Sequence, residues 1–440
     1  MMKKAALHNL GCKVNAYETQ AMQHMLEEAG YEIVDFAKEA DVYVINTCSV
    51  TNIADRKSRQ MVHRARRLNP RAVIVAAGCY VQTAPQDLLN EDGMADIILG
   101  NNKKKDLIAM LEEYRAGGQK AADWEDINDG VKEYEELSMP KTAGHTRAFI
   151  KIQDGCSQFC SYCIIPFARG RVRSRQPEDI LSEIRRLAED GCKEVVLTGI
   201  HLSSYGVDFG TENDSLIRLI ENVHQIDGIR RIRLGSLEPG IVTEAFAGAL
   251  SGMEKLCPHF HLSLQSGSDT VLKRMNRRYD TAEYEKRCEI LRGHFKNPAI
   301  TTDVIVGFPG ETEEEFEQTR QFLAKIHFYE MHIFKYSKRK GTKAARMDHQ
   351  VPETVKAQRS SRLIELGSRM SLEYREGFKG QDQEVLLEEP FFYDGKKYYT
   401  GYTKEYIKTA VESSLDRTNT FARGKIIGLL THDIYLMVEF

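Results

Sequence analysis

Short apolar runs alternate with helical stretches along the first hundred residues. The apolar runs are KKAALHNL, DVYVINTC, AVIVAAGC and ADIILG, and helical periodicity begins with NAYETQAMQHMLEEAG after the first of them. Short apolar strands separated by helices are typical of a parallel sheet that is covered on both faces. The pattern predicts an α/β domain with a doubly wound parallel sheet over residues 1–115.

Hydrophobic periodicity fades between Tyr114 and Thr146. This stretch contains several glycines, is mostly acidic and holds the only tryptophan, Trp124. Such a composition is typical of a connecting segment. We predict a linker over residues 116–144 that drapes over a neighbouring domain.

A strand followed by a helix recurs six times in the next region. The strands are AFIKIQ, KEVVLTGI, IRRIRLGSL, HFHLSLQ, ITTDVIVGF and FYEMHIFKYS. Six such units with right-handed crossovers form a partial (βα)6 barrel, which we predict over residues 145–375. Chemistry in such barrels lies at the carboxyl ends of the strands. The polar and glycine residues predicted there are Asp154 with the loop that follows it, Thr198, Gly199, His201, Ser236, Glu238, Gln265, Ser266, Gly307 and Pro309.

The last sixty-odd residues predict a small antiparallel β-barrel over residues 376–440, similar to the oligonucleotide-binding fold. Its five strands are QDQEVLLEEP, KKYYTGYT, EYIKTAV, RGKIIGLL and DIYLMVEF. Tyr398, Tyr399, Tyr402 and Tyr406 lie among lysines in this region. They either stack on nucleic-acid bases or belong to an ordinary exposed sheet face.

Composition limits the class of protein. A chain of 440 residues with 42% hydrophobic and 28% charged residues has the composition of an ordinary soluble protein of two to four domains. Neither a secretory signal nor an apolar run of membrane-spanning length is evident, so we expect a cytoplasmic protein with no membrane partner. In that compartment the nine cysteines indicate metal binding, catalysis or burial rather than disulfides.

Three of these cysteines directly follow predicted strands of the first domain. They are Cys12, Cys48 and Cys79, and Gly11 and Gly78 precede the first and last of them. A single cysteine at a strand end is usually a packing residue. Three at equivalent ends of a parallel sheet converge on one edge, where doubly wound folds bind ligands, and glycine lets the backbone approach a bulky group.

A second triad lies in the stretch DGCSQFCSYC: Cys156, Cys160 and Cys163. Offsets of four and seven residues also describe one buried face of a helix. Gly155 and Ser157, directly after a predicted strand, favour a loop instead. Three thiols are one ligand short of a closed zinc or iron-sulfur site.

This second triad, with Tyr162 before its last cysteine, resembles the CxxxCxYC loop of radical S-adenosylmethionine (SAM) enzymes. The resemblance implies a 4Fe-4S cluster on Cys156, Cys160 and Cys163, with SAM chelating the fourth iron and yielding a 5′-deoxyadenosyl radical. NLGCKVNAYE, INTCSVTNIADRKSRQ and AAGCY resemble the N-terminal domain of the methylthiotransferases within that superfamily. This similarity implies a second 4Fe-4S cluster on Cys12, Cys48 and Cys79 and a C-terminal TRAM domain.

The same resemblance implies a set of SAM-binding positions at the strand ends. The residues that match the family pattern are Tyr162, Thr198, Gly199, Arg233, Ser236, Gln265, Ser266 and Val306 to Gly310. Within this last range, Val306 and Gly307 are the main candidates.

Within the family, LGCKVNAYE, TCSVTNIADRKSRQ and FARGRVRSR are most similar to the MtaB-like type. That type transfers a methylthio group to C2 of N6-threonylcarbamoyladenosine at position 37 of tRNA. The similarity implies SAM as both methyl donor and radical source, and an electron donor such as flavodoxin or ferredoxin. The alternatives within the family are isopentenyladenosine in tRNA and an aspartate of a ribosomal protein.

Two further hypotheses stay open: a radical SAM enzyme with a different reaction, and a non-catalytic RNA-binding protein with structural clusters. The net charge of −3 indicates no nucleic-acid partner by itself, but basic residues are clustered. The candidates for contacts with the anticodon loop are Arg169, Arg171, Arg173, Arg175, Lys338 and Arg339. Cys192, Cys257 and Cys288 belong to neither triad and are predicted to be buried.

Overall fold

The computed structural model describes residues 2–89, 94–117, 121–130, 132–137, 146–210 and 214–440. Among the described helices, none combines the length and the apolar composition that crossing a bilayer requires. The architecture has three parts: a parallel sheet with helices on both faces, an arc of six parallel strands, and a closed five-stranded barrel.

The N-terminal part is a six-stranded parallel sheet with the strand order β2-β1-β3-β4-β5-β6. Its strands are β1 (Lys3–Asn9), β2 (Tyr31–Ile33), β3 (Val42–Thr47), β4 (Val73–Gly78), β5 (Ile97–Leu99) and β6 (Ala121–Asp123), and its helices are α1 (Lys13–Glu28), α2 (Asn52–Leu68), α3 (Cys79–Thr83), α4 (Pro85–Leu89) and α5 (Leu107–Gly117). All residues of β3 and β4 are buried because separate apolar clusters cover the two faces. The predicted doubly wound sheet is confirmed.

The predicted linker contains structure that its composition does not indicate. Residues 121–123 form β6 and extend the sheet beside β5. Further along, the Tyr134 hydroxyl donates to the carbonyl of Lys151 at 2.8 Å, and Leu137 packs against Tyr17. Residues 118–120, 131 and 138–144 of this segment, with the predicted boundary at 144/145, lie outside the described residues.

The central part is a partial barrel. Its elements are β7 (Arg147–Lys151), β8 (Gln153–Asp154), α6 (Ile165–Arg169), β9 (Arg173–Ser174), α7 (Pro177–Glu189), β10 (Glu194–Thr198), α8 (Ser215–His224), β11 (Arg231–Leu234), α9 (Glu244–Ser251), β12 (His259–His261), α10 (Asp269–Arg274), α11 (Thr281–His294), β13 (Ala299–Val306), α12 (Glu313–Ile326) and β14 (Glu330–Lys335). The sheets β7-β10-β11 and β12-β13-β14 are parallel, and bridges such as Leu237 with Leu262 join them into one arc. The six predicted strands are all present.

Helix α13 (Glu353–Glu376) leads from the arc to the C-terminal barrel. The barrel consists of β15 (Asp382–Tyr393), β16 (Lys396–Tyr402), β17 (Lys408–Glu412), β18 (Thr420–Thr431) and β19 (Ile434–Glu439). It closes in the order β15-β16-β17-β19-β18, with antiparallel pairs except β17 with β19. The five predicted strands are present. The domain limits stay predictions, and 115 and 375 each fall in the last turn of a helix, α5 and α13.

The C-terminal barrel covers the amino ends of the arc's strands. Arg231, the first residue of β11, donates to the carbonyls of Tyr402 and Glu384 at 2.6 and 2.7 Å. The ring of Tyr406 lies 4.8 Å from that of His259 at the start of β12. The carboxyl ends of the strands therefore remain the open end of the arc.

Candidate active site

The second cysteine triad lies in a loop between β8 and α6. The Cys156 N–H donates to the carbonyl of Gly170 at 2.9 Å, so the loop closes on itself. Gly155 has φ +71°, and a Cβ there would lie 1.8 Å from the carbonyl oxygen of Arg171. Only glycine fits such a position. The loop interpretation holds, and the buried helix face is wrong.

The thiols of this loop are expected to be protonated in the absence of metal and to become thiolates when a metal binds. Burial, with a smaller contribution from the neighbouring Cys160 thiol, raises the pKa of Cys163 to about 12 and that of Cys156 to about 11. The guanidinium of Arg277 donates to the Cys160 sulfur at 3.1 Å. Metal binding to thiols releases their protons, and a cation at this distance stabilises the resulting thiolate charge.

A cavity of about 280 Å³ opens beside this loop at the carboxyl ends of the strands. Of the predicted SAM-binding residues, Tyr162, Ser236 and Gln265 line it. Val50 and Thr51, which follow Cys48 in the N-terminal domain, line it as well. The other lining residues are Cys156, Gln158, Cys160, Cys163, Ile164, Ile165, Ile200, His201, Leu237, Glu238, Ser263, Arg277, Asp303, Ile305, Phe334, Lys335, Tyr336 and Ser337.

Two predicted SAM-binding residues at the end of β10 lie behind the cavity wall. Thr198 is buried, and its carbonyl accepts from the backbone of Ile152 at 2.9 Å. A Cβ at Gly199 would lie 2.8 Å from the side chain of Gln153. Both residues allow close packing of β10 against the cysteine loop.

Three others shape the loops that follow the strands. The hydroxyl of Ser266 lies 3.2 Å from that of Thr319. Val306 is buried, and the Gly307 N–H donates to the Glu311 carboxylate at 2.7 Å. None of the three is among the residues that line the cavity in the described part of the chain.

Arg233 does not lie near the cavity. Its guanidinium donates to Glu194 at 2.8 Å and to the carbonyls of Thr403 and Lys404 at 2.7 and 2.8 Å. The predicted SAM contact is wrong, because Arg233 holds the C-terminal barrel against the opposite end of the arc.

Arg277 is a charged cavity residue that sequence reasoning missed. Besides its contact with Cys160, it pairs with Glu238 and donates to the Tyr279 hydroxyl at 2.9 Å. Glu238 also lies 3.8 Å from His201. Arg277 follows α10 in a run of basic residues, RMNRRYD, which offers no signal that separates it from solvated arginines.

The first triad converges as predicted from the sheet topology. Cys12 precedes α1, Cys48 follows β3 and Cys79 begins α3. Burial, with smaller contributions from the Cys79 and Cys12 thiols, raises the pKa of Cys48 to about 12. The backbones directly before Cys48 and Cys79 meet, since a Cβ on Gly78 would lie 2.8 Å from the carbonyl oxygen of Thr47. Gly11 has φ +105°, and a Cβ there would lie 2.9 Å from the Cys48 sulfur. A residue with a side chain could not approach that sulfur as closely as this glycine does.

Each triad offers three soft thiol donors in one loop cluster, which is the donor set of an iron-sulfur cluster with one iron free of protein ligands. The Asn101 amide donates to the Cys79 sulfur at 3.6 Å, a contact of the kind that tunes such clusters. The residues present therefore fit a 4Fe-4S cluster at either site. Cys192, Cys257 and Cys288 are buried.

The N-terminal domain contacts both edges of the arc and so covers the gap between its first and last strands. On one edge, Glu18 of α1 accepts hydrogen bonds from Arg169 and Lys151 at 2.9 and 2.8 Å. On the other edge, Arg339 donates to Asn52 and Asp55 at 2.6 Å each. The two contacts hold the N-terminal domain against the arc, and the loop after Cys48 borders the cavity that the second triad lines.

These contacts correct most of the RNA-binding prediction. Arg169, Arg173, Arg175 and Arg339 are at most 7% exposed, because carboxylates take up their charges. Arg175 pairs with Glu183 inside the protein. The four side chains hold domains and loops together and are closed to RNA.

Two of the predicted RNA contacts remain accessible. Arg171 is exposed, with its guanidinium 4.3 Å above the ring of Phe159, and Lys338 is exposed as well. Large apolar side chains are exposed beside them: Phe167 is 44% exposed and Ile53, near the cavity, 55%.

The C-terminal tyrosines do not form a stacking surface. Tyr398 and Tyr399 are buried, and the ring of Tyr402 stacks on that of Tyr406 at 4.6 Å. Arg147 lies over both of the last two rings. These side chains belong to the contact with the arc.

Two family models match the chain. The model of the uncharacterized protein family UPF0004 matches residues 4–100, and that of the radical SAM superfamily matches residues 150–323. Among solved structures, the radical SAM methyltransferase TsrM from Kitasatospora setae superposes with a TM-score of 0.55 at 16% identity, over 76% of this chain and 75% of that chain. This likeness shows the fold.

Curated relatives match nearly the full length. Threonylcarbamoyladenosine tRNA methylthiotransferase MtaB of Bacillus subtilis (strain 168) is 43% identical over 427 residues, covering 97% of this chain and 94% of the relative. A tRNA-2-methylthio-N(6)-dimethylallyladenosine synthase of Pelotomaculum thermopropionicum is 36% identical over 401 residues, covering 88% of this chain and 87% of the relative.

Proposed function

This chain belongs to the radical SAM methylthiotransferase family, and we propose that it transfers a methylthio group to C2 of N6-threonylcarbamoyladenosine at position 37 of tRNA. The observation that carries the proposal is that the loop of one three-thiol site borders the cavity that the other three-thiol site lines. Loop residues after Cys48 and the whole second triad line the same cavity. The expected electron donor is a flavodoxin or ferredoxin.

Cys156, Cys160 and Cys163 would hold the cluster that binds SAM, and Cys12, Cys48 and Cys79 the cluster that presents sulfur. When bound, these groups supply a carbon radical that removes hydrogen from C2, and a methylated sulfur that replaces it. Such a C–H bond is too weakly acidic for any side-chain base, so the side chains serve to position and enclose the reactants.

The cavity has the polarity that SAM requires. SAM has cationic and anionic groups at one end and an adenine at the other. Arg277, Glu238 and His201 form a polar network on one wall, while Leu237 and Ile305 make another wall apolar. Polar groups fixed in this way orient the ligand, and the apolar wall excludes water from the radical.

The substrate base must leave its stack to reach this space. Bases of an anticodon loop are unpaired and accessible, and they are recognised by stacking and by backbone contacts. Arg171 with Phe159, Phe167 and Ile53 offers a cation and apolar surfaces at the rim. This rim supports RNA binding without the buried arginines.

The choice of threonylcarbamoyladenosine rests on similarity. Relatives named for that nucleoside are 36% to 43% identical to this chain, and those named for dimethylallyladenosine 36% to 37%. The second candidate substrate is therefore isopentenyladenosine. The residues LGCKVNAYE and TCSVTNIADRKSRQ favour the first.

The test is nucleoside mass spectrometry of tRNA from cells with and without this protein, together with assays of the reconstituted enzyme. We expect loss of 2-methylthio-N6-threonylcarbamoyladenosine in the deletion strain and its formation in vitro from tRNA that carries threonylcarbamoyladenosine. If only 2-methylthio-isopentenyladenosine is lost, the assignment of threonylcarbamoyladenosine as the substrate is wrong. Absence of 5′-deoxyadenosine after addition of SAM and dithionite would overturn the activity.

A further inference from the structure

The outer face of helix α2 is strongly basic. The helix contains six lysines and arginines and one acidic residue, Asp55, in a chain whose net charge is −3. Its buried residues are Ser58, Val62 and Ala65, so the side opposite to them points away from the sheet. The exposed residues of the helix are Asn52, Ile53, Arg56, Lys57, Gln60, His63, Arg64 and Arg67.

The cations on this face form a row along the helix. Arg56, Gln60, Arg64 and Arg67 follow one another at spacings of four, four and three residues, which places them side by side on one face. A helix rises 1.5 Å per residue, so the row from Arg56 to Arg67 is about 16 Å long. The positive charge is therefore arranged as a line and not as a compact patch.

The exposed cations of α2 lack counter-ions in the protein. Arg59 and Arg66, on the flanks of the helix, donate to Tyr80 and Asp96 at 2.6 and 2.8 Å. None of the four exposed lysines and arginines forms an ion pair or a side-chain hydrogen bond with a residue that the structure describes. Like charges at this spacing repel one another. A polyanion would remove that repulsion.

The row starts at the edge of the cavity. Val50 and Thr51 line the cavity, and the Thr51 hydroxyl caps α2 by accepting from the Ala54 N–H at 3.1 Å. Because α2 follows β3 in a parallel sheet, it runs from the carboxyl edge of the sheet back toward the amino edge. Arg67 lies sixteen residues beyond Thr51, about 24 Å along the helix. The row thus leads away from the cavity along the outside of the N-terminal domain.

The arc adds further cations at the cavity end of the row. Arg339 donates to Asn52 and Asp55 at 2.6 Å each, and the Asn52 N–H donates to the Ser337 hydroxyl at 3.0 Å. The exposed lysines beside this contact are Lys338, Lys340 and Lys343. The positive surface therefore continues across the boundary between the two domains. We name it the basic ridge, formed by Arg56, Lys57, Arg64, Arg67, Lys338, Lys340 and Lys343.

We propose that the basic ridge binds the phosphate backbone of the anticodon stem while the loop nucleotide enters the cavity. The inference rests on the proposed function, which brings the anticodon loop to the cavity. A surface that extends about 24 Å from the cavity edge reaches beyond one unpaired nucleotide to the stem. Contacts to phosphates hold a nucleic acid in register without reading its sequence, so the ridge would position the RNA and leave recognition to the cavity.

The shape and the neighbours of the basic ridge favour RNA over an acidic electron donor. Val50 and Ile53 are 52% and 55% exposed at its cavity end, where they offer apolar contacts to unpaired loop bases. Arginine guanidinium groups pair with phosphates in a bidentate manner. An interface with a folded protein needs a broad patch with an apolar centre. A row one helix wide fits a single backbone strand better.

The test is the double variant Arg64→Gln/Arg67→Gln, which changes the end of the ridge away from the cavity. The affinity of the anaerobically reconstituted enzyme for an anticodon stem-loop is measured against salt concentration. We expect the slope of log affinity against log salt to fall by about 1.4–1.8, the contribution of two phosphate contacts, and the affinity at low salt to fall about tenfold or more. Arg185→Gln/Arg186→Gln, at two exposed arginines of α7, is the matched control and should change neither.

A second RNA tests the assignment to the stem. An unpaired oligonucleotide with the loop sequence should bind wild type and the double variant equally, because it has no stem. Iron content and cleavage of SAM without RNA should stay unchanged in the variant. An unchanged salt slope, or equal weakening for both RNAs, would overturn the inference. Unchanged RNA binding with slower reduction of the clusters by an acidic flavodoxin would also overturn it, since the ridge would then serve the electron donor.

Failure of this inference can be told apart from failure of the proposed function. If the double variant binds the stem-loop like wild type while wild type modifies threonylcarbamoyladenosine, only the inference is wrong. If wild type modifies isopentenyladenosine alone, the proposed substrate is wrong. The salt slopes then still decide on the ridge, because phosphate contacts do not depend on the modification of the base.

Discussion

Arg169 of the partial barrel donates two hydrogen bonds to the carboxylate of Glu18 in the N-terminal domain, at 2.9 and 3.0 Å, and neither side chain is exposed to solvent. Lys151 and Lys104 also contact this carboxylate, at 2.8 and 3.3 Å. A bidentate pair with this burial fixes the orientation of the two groups. On this edge, the docking of the N-terminal domain against the arc therefore depends on one glutamate.

Glu18→Gln should destabilise the protein strongly. The substitution keeps the shape but leaves three buried cations with one negative charge fewer, and breaking a buried ion pair costs about 3–5 kcal/mol. The free energy of unfolding, measured with denaturant, checks this expectation. Glu39→Gln, at an exposed glutamate, is the control and should change it by less than about 0.5 kcal/mol.

The same cluster predicts a pH dependence. Despite burial, which acts in the opposite direction, the charges of Arg169, Lys104 and Lys151 lower the pKa of Glu18 well below its usual value, and Arg169, Lys151 and Arg173 lower that of Asp154. A carboxyl group with a lowered pKa in the folded state stabilises it above the unfolded pKa, about 4.

We therefore expect the stability difference between wild type and Glu18→Gln to be constant from pH 7 to about pH 5 and to shrink as the pH falls below about 4. Denaturant unfolding of the metal-free proteins across this range measures it. A difference that grows in acid would contradict the assignment.

Substitutions in the two triads should affect different steps of the reaction. Cys156→Ala should abolish cleavage of SAM, whereas Cys48→Ala should leave cleavage and stop methylthiolation, because each removes a ligand of a different cluster. Iron content should fall from about eight to about four in each variant. Cys288→Ala, at a buried cysteine outside both triads, should keep the iron content. Methylthiolation by either triad variant would refute the assignment.

Arg277→Met should weaken SAM binding while the cluster on Cys156, Cys160 and Cys163 is retained. Arg277 contacts Cys160 and pairs with Glu238 at the cavity. Its replacement removes the hydrogen bond to the Cys160 thiolate and leaves the Glu238 carboxylate without this ion pair. Loss of a hydrogen bond to a charged group costs about 1.5–3 kcal/mol, which is at least about tenfold in SAM affinity. Equilibrium dialysis with SAM measures the effect. Arg278→Met, at the exposed neighbouring arginine, should leave affinity unchanged.

Arg171 and Arg173 should differ in their effects on tRNA binding although they are two residues apart. Arg171→Ala should reduce the slope of log affinity against log salt by about 0.7–0.9, the contribution of one phosphate contact. Arg173→Ala should keep the slope and destabilise the protein, because Arg173 is buried and lies 3.5 Å from Asp154. An equal change of slope in both variants would contradict the burial argument.

The sequence by itself determined the three-part organisation and both cysteine triads. Strand periodicity is local, and the carboxyl ends of parallel strands must share an edge. Cys12, Cys48 and Cys79 could therefore be placed together without any side-chain geometry. Gly155 likewise indicated a loop, since a glycine directly after a strand is a local signal.

Only the tertiary structure decided which charged residues face solvent. Arg169 is one of the predicted RNA contacts, but its side chain is buried and pairs with Glu18, 151 residues away. Arg233 and Ser236 are three residues apart, yet one faces the C-terminal barrel and the other the cavity. The ion-pair partner of a charged side chain depends on how distant segments pack together. This packing cannot be derived from the local sequence.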